Sequence, residues 1–167
     1  MAHKTTYQVQ KKRRQAGKTD YKKRYAMLKS KKPRLVARIL SKITVAQIVK
    51  YEVKGDVTLV GTTSLELKKF GWAPKRNIPT AYLTGLLIGK KAIKKGIKQV
   101  IFDTGLHRPV TKGKVFAVLK GAIDAGLEIP HSKKALPEEE RIQGKHIESF
   151  RKIKLNFEEV KQKVNNQ

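Results

Sequence analysis

The 167-residue chain has no cysteine, which excludes a disulfide framework, a thiolate metal site and a thiol nucleophile. Its four histidines, at positions 3, 107, 131 and 146, fall at no paired metal-ligand spacing, and His146-Ile147-Glu148 does not extend to the H-E-x-x-H pattern. Neither a Walker loop nor a G-x-G-x-x-G turn occurs, so no cofactor or metal is expected. Long apolar runs are missing too. No window approaches the ~18 apolar residues of a membrane span, and the opening MAHKTTYQVQKKRR lacks the apolar stretch of a signal peptide. A soluble intracellular protein is the expectation, with no membrane and no small-molecule substrate among its partners. Acidic residues are also scarce, with 13 Asp and Glu set against 39 Lys and Arg.

What is present follows from that imbalance. A net charge of +26 repels itself in a compact chain, so a polyanion that neutralises it is the expected partner, nucleic acid first and anionic membrane second. Residues 1–34 hold thirteen of the bases and one acid, Asp20, a charge density more than three times that of the remainder. Apolar residues at 39% allow one core but not two, which predicts a basic arm over 1–33, one α/β domain over 34–131 and a peripheral helical tail over 132–167.

Within the arm, the stretch to Lys18 lacks apolar spacing and reads as unstructured when free. Thr19 or Asp20 then caps a short helix through Leu28, with Tyr21, Tyr25 and Leu28 on one stripe, ended by Pro33. Arg34–Leu40, Thr44–Val53 and Val57–Thr63 read as strands, and the short breaks between them predict an antiparallel meander. Ser64 caps a brief helix that Gly71 stops. Asn77 or Thr80 opens a longer helix ending before Gly96, with Tyr82, Leu86 and Ile93 on an apolar face and a groove at Gly85, Gly89 and Ala92 that suits packing on the sheet better than a helix dimer seam. QVIF, residues 99–102, reads as a strand buried on both faces and parallel to an earlier one. Val115–Ala125 is a helix with Val115, Leu119, Ala122 and Ile123 inward, closed by Gly126. A further helix starts at Pro137.

Two basic segments carry the chemistry. Lys11-Lys12-Arg13-Arg14, extended by Lys18, Lys22, Lys23, Arg24 and Lys29 to Arg34, suits a phosphate backbone, and Tyr7, Tyr21 and Tyr25 lie among them as stacking partners. A nuclear-localisation run or plain solvated charge is the other meaning of such a block. The loop from Leu106 to Lys114 places His107, Arg108, Lys112 and Lys114 before a helix N-terminus, where backbone N–H groups attract phosphate. Asp103-Thr104-Gly105 imitates an aspartic-protease signature, but one copy without flanking β structure supplies no proton-sharing pair, and Asp103 reads as a strand-end hydrogen-bonding residue. Trp72 reads as a core lid more readily than a base platform.

Four stretches together resemble one family: RRQAGKTDY at 13–21, LKSKKPRLVAR at 28–38, YLTGLL at 82–87 and KVFAVLKGAIDAGLEIPH at 114–131. They are similar to the archaeal form of large-subunit ribosomal protein L-eighteen, the family that carries 5S ribosomal RNA. The resemblance implies three antiparallel strands with a fourth parallel to the first, and a cytoplasmic, non-enzymatic constituent of the large subunit, surrounded by 5S RNA, large-subunit RNA and neighbouring ribosomal proteins. The expected RNA-binding residues are Lys11, Lys12, Arg13, Arg14, Lys18, Thr19, Tyr21, Arg24, Lys32, Arg34 and Arg38 from the arm and first strand, with His107, Arg108, Lys112 and Lys114 from the loop. A non-specific nucleic-acid chaperone or DNA-compacting protein is the competing expectation, and a nucleic-acid hydrolase centred on Asp103 a distant third.

Overall fold

The structure, a computed structural model, describes residues 9–152 and 155–166. Tyr7, expected in the arm, lies outside them.

The meander forms as expected and acquires its parallel partner. Strands β1 (Arg34–Ile39), β2 (Thr44–Lys50), β3 (Val57–Thr63) and β4 (Ile101–Asp103) lie in the order β3-β2-β1-β4. The β1–β2 and β2–β3 pairs are antiparallel, while β4 runs parallel to β1 with Arg34 beside Ile101 and Val36 beside Asp103. The α/β mixed-sheet architecture is thus the expected one. β2 stops at Lys50 rather than Val53, because its ladder to β3 ends where Lys50 meets Val57, and Tyr51 and Val53 are left exposed. β4 is an edge strand, so Ile101 and Phe102 are only half-buried, not covered on both faces as expected.

Alternation sorts the sheet into two faces. Leu35, Ala37, Ile39, Ala46, Ile48 and Val60 turn to the core. Above them pack α3 (Ile78–Lys94), against β2 and β3, and α4 (Lys114–Asp124), against β1. Asn77 is the cap of α3, accepting from the Thr80 N–H at 3.0 Å, and Pro79 fits the first turn where no donor is needed. The preceding 3-10 turn, Ser64–Phe70, is capped by Thr63 rather than Ser64, in a reciprocal box with Glu66, because the Ser64 hydroxyl is occupied by the Thr44 N–H. Gly71 stops it at φ 84°, a conformation that β-carbons resist. Trp72 is a lid, as expected: buried, with its indole N–H donating to Thr80 Oγ1 at 2.8 Å.

The small-residue groove of α3 receives α4, not the sheet. A β-carbon on Gly85 would stand 2.1 Å from the Val118 carbonyl oxygen, and one on Gly121 would stand 2.1 Å from that of Tyr82. The two backbones therefore touch through paired glycines. Ile93, at the far end of α3, is exposed, and Val115 and Ile123 of α4 are half-buried.

The tail is less peripheral than its charge suggests. α3 is buried without a break from Ile78 to Gly89, so it needs cover on the side that neither sheet nor α4 reaches. α7 (Phe157–Asn165) supplies it with Phe157, Val160 and Val164, spaced to share one face, and Ile142 of α5 (Glu139–Gln143) joins them. α6 (Lys145–Arg151) lies between and leaves Phe150 exposed.

Candidate nucleic-acid interface

The second face of the sheet is the polar one. Arg34, Val36 and Arg38 of β1 stand opposite Val49, Gln47 and Val45 of β2, and the arm lies along this face as two helices. Lys12–Gln15 form a single turn, α1, where an unstructured chain was expected. Tyr21–Leu28 form α2, capped by Asp20, whose Oδ1 accepts from the Lys22 and Lys23 N–H groups at 3.1 and 3.2 Å. Thr19 is not the cap; its hydroxyl accepts from Arg13 Nε at 3.0 Å and so ties the two turns together.

Between arm and sheet runs a groove of about 240 Å³. Arg13, Lys18, Lys23, Arg24, Arg34 and Arg38 line it, against Asp20, Asp56 and Asp103, together with Gly105 and Leu106. The start of the loop therefore reaches the arm, while its basic side chains, from His107 to Lys114, lie outside the groove.

The expected contact residues divide by what already holds them. Lys11, Lys12, Arg13, Arg14 and Lys18 are exposed, as is Arg38. Arg34 is not free: it is 3% exposed, and its Nη1 and Nη2 donate to Asp103 at 2.6 Å and Asp56 at 2.7 Å. Arg24 is engaged likewise, both terminal nitrogens on Asp56 at 2.8 and 2.7 Å; the hydrogen bond to Asp56 raises its pKa and lowers that of the carboxyl. These two arginines build the site's frame. Asp103 completes it, accepting from the Gly105 N–H at 2.8 Å, so it is the strand-end hydrogen-bonding residue expected. A carboxylate tied in this way to a guanidinium is no half of an acid–base dyad.

Tyr21 is half-buried with Lys11 Nζ 4.7 Å from its ring centroid, whereas Tyr25 is exposed with Lys29 beside it at 5.0 Å. The more accessible aromatic face is thus Tyr25. Lys32 is apart from the groove, in a depression shared with Gln99 and His131 beyond β4.

In the loop, His107 and Arg108 are exposed, and Lys112, at φ 58°, bonds through its amide to the Ala135 carbonyl at 2.9 Å and through its ammonium to exposed Glu138. Lys114 opens α4 half-buried; burial, then the charge of Arg76, lowers its pKa. Arg76 belongs to this basic cluster and was not anticipated, since it lies beside Lys75 in a linker far away in sequence. Among the described residues no three His, Asp or Glu side chains gather as metal ligands, and no helix is long and apolar enough to cross a membrane.

The family model described as "Ribosomal large subunit proteins 60S L5, and 50S L18" matches residues 5–99 and 94–132. Large ribosomal subunit protein uL18 of Thermofilum pendens is 49% identical over 154 residues, covering 92% of this chain and 79% of that one. The protein of the same name from Methanosphaera stadtmanae is 50% identical over 151 residues, covering 90% and 78%. With a match of this extent on both measures, the chain belongs to that family of large-ribosomal-subunit proteins.

Proposed function

We propose that the protein is a structural constituent of the large ribosomal subunit that binds 5S ribosomal RNA and helps attach it to the large-subunit RNA, without a catalytic step. The observation that carries this reading is the groove in which the arm, Arg38 and the start of the basic loop meet. A surface of that kind suits a folded RNA, whose A-form grooves admit little direct base reading and are recognised through phosphate and shape. Lys11, Lys12, Arg13, Arg14, Lys18 and Arg38 neutralise one stretch of backbone; His107, Arg108, Lys112 and Lys114 hold a second. Tyr25 joins Tyr21 as an aromatic contact, and neighbouring ribosomal proteins occupy the remaining surface.

Filter binding of 5S RNA over a salt series tests the reading. Removing residues 1–18 takes away six bases, Lys4, Lys11, Lys12, Arg13, Arg14 and Lys18. At ~0.9 per phosphate neutralised, the slope of log affinity against log salt falls by about 5. Unchanged affinity and slope would sink the proposal. Competition addresses the non-specific alternative: random duplex DNA that displaces 5S RNA at equal mass would require it instead.

A further inference from the structure

Asp56 stands in the loop joining β2 to β3 and is one of few acids in a strongly basic chain, yet it lines the groove to which the RNA is assigned above. A carboxylate there opposes phosphate, so its place needs a reason other than ligand contact. The contacts supply one. Arg24 of α2 grips both Asp56 oxygens, with the Tyr51 ring centroid 5.9 Å from its guanidinium. Asp56 Oδ2 also accepts from Arg34, which is nine-tenths buried and continues to Asp103, and Asp103 holds the Gly105 N–H. One chain of ion pairs thus joins the arm helix, the β2–β3 hairpin, β1 and the end of β4, and a backbone hydrogen bond carries it into the first turn of the basic loop.

We propose that Asp56 is a positioning residue for RNA recognition, a clamp that holds α2 through Arg24 at a fixed place relative to the loop at 104–113. The recognition role rests on the 5S reading above. Bidentate guanidinium–carboxylate pairing fixes orientation as well as distance. An arm held before the ligand arrives avoids the ordering cost that a loose arm incurs on binding. It also keeps the second anchor at high effective concentration once the first is engaged.

Charge gives the experiment its sign. Asp56→Asn removes a negative charge, so electrostatics alone predicts tighter binding to any polyanion. The clamp predicts weaker binding to 5S RNA. Asp56→Asn, Arg24→Gln and the double variant are titrated against 5S RNA and against heparin, a polyanion without a fold of its own. Each single change weakens 5S binding roughly three- to tenfold, as when the competent pose becomes a minor population. The double variant is no worse than the poorer single one, because both break the same contact. Heparin binding by Asp56→Asn stays equal or rises, and Asp56→Glu recovers part of the 5S affinity. An Asp56→Asn variant that binds 5S RNA as well as the parent, or losses that multiply in the double variant, would overturn the proposal.

A second readout needs no RNA. The absence of native cysteine allows spin labels on Lys22→Cys and Lys54→Cys, both exposed sites, to report the arm-to-hairpin distance in the full chain. The distribution is narrow in the parent and broad with Asp56→Asn; identical distributions refute the clamp. Should the parent show no preference for 5S RNA while the distribution still broadens, the RNA reading fails, the recognition role fails with it, and the clamp itself stands.

Discussion

Gly121→Ala is expected to destabilise the protein although alanine is the better helix former. In the middle of α4 the exchange removes glycine's excess chain entropy and favours folding by about 1 kcal/mol. Against this, the new β-carbon would sit 2.1 Å from the Tyr82 carbonyl oxygen and 2.8 Å from the Leu86 nitrogen. Both are backbone atoms of α3, a helix gripped on all sides, so neither can swing aside as a side-chain tip would. Overpacking of this kind costs ~1–3 kcal/mol, and two backbone contacts place it at the upper end. The net loss is then about 2 kcal/mol, or roughly 4–8 °C in melting temperature for a chain of this size. Gly61→Ala on β3 is the control, since its nearest neighbours would be Thr58 Cγ2 at 3.9 Å and Gln47 Cγ at 4.0 Å, ordinary contacts. Thermal melts followed by circular dichroism, with urea titration for the free energy, compare the two. Should Gly121→Ala melt at or above the parent, the close approach of α3 and α4 would have to be abandoned.

Further outcomes follow from the ion pairs and caps. Arg34→Met leaves buried Asp103 without its cation and should cost about 3–5 kcal/mol in urea titrations, whereas Arg24→Gln, breaking a half-exposed pair, should stay within ~1 kcal/mol. Asp56 is held below its ordinary 3.8 mainly by the Arg24 hydrogen bond. Burial pushes Glu66 up, but hydrogen bonds from Lys91 and the Thr63 N–H outweigh it and leave the carboxyl below its ordinary 4.5. Folded pKa values depressed in this way stabilise the protein above the ordinary values, and that stability is lost as pH falls through the folded ones. A series of melts from about pH 5 to about pH 2 should therefore show a shallower decline for Asp56→Asn and Glu66→Gln than for the parent. Asn77→Ala removes the α3 cap and should lower stability by about 1 kcal/mol, read in the same melts.

The sheet was legible because its signals are local. Aliphatics in β1, alternation in β2, β-branched residues in β3, Asn77 before Pro79, and glycines at 71, 96 and 126 each act within a few residues, and the elements begin and end close to where those residues place them. The site was half legible. Charge density marked the arm and the loop, and the arm lines the groove while the loop reaches it only through Gly105 and Leu106, but density cannot tell a cation aimed at solvent from one already engaged. The acids that hold Arg24 and Arg34 lie 32, 22 and 69 residues away, and no spacing rule reaches them. Arg76 was missed for the same reason. The tail was misjudged because Phe157, Val160 and Val164 sit among charges, and only the bare side of α3 shows what they are for. Glycines 85 and 89 announced a close approach, but what they approach, Val118, Ala122 and Ala125 of α4 and its C-cap, and the answering Gly121 against Tyr82 and Leu86, became visible only once the two helices were laid together.

The cover that α7 gives α3 also sets an order of events during synthesis. A chain emerges N-terminus first, so the cationic arm is in the open while most of the domain is still unmade. The core closes only after Val164 has appeared, because until then one flank of α3 is bare. Asp56 follows Arg24 by just 32 residues, so the arm can find its mooring long before α7 arrives. The protein is thus exposed to stray polyanions before Asp56 is made and to stray apolar surfaces until α7 is in place. These two hazards fall at different stages of its making and call for different protection.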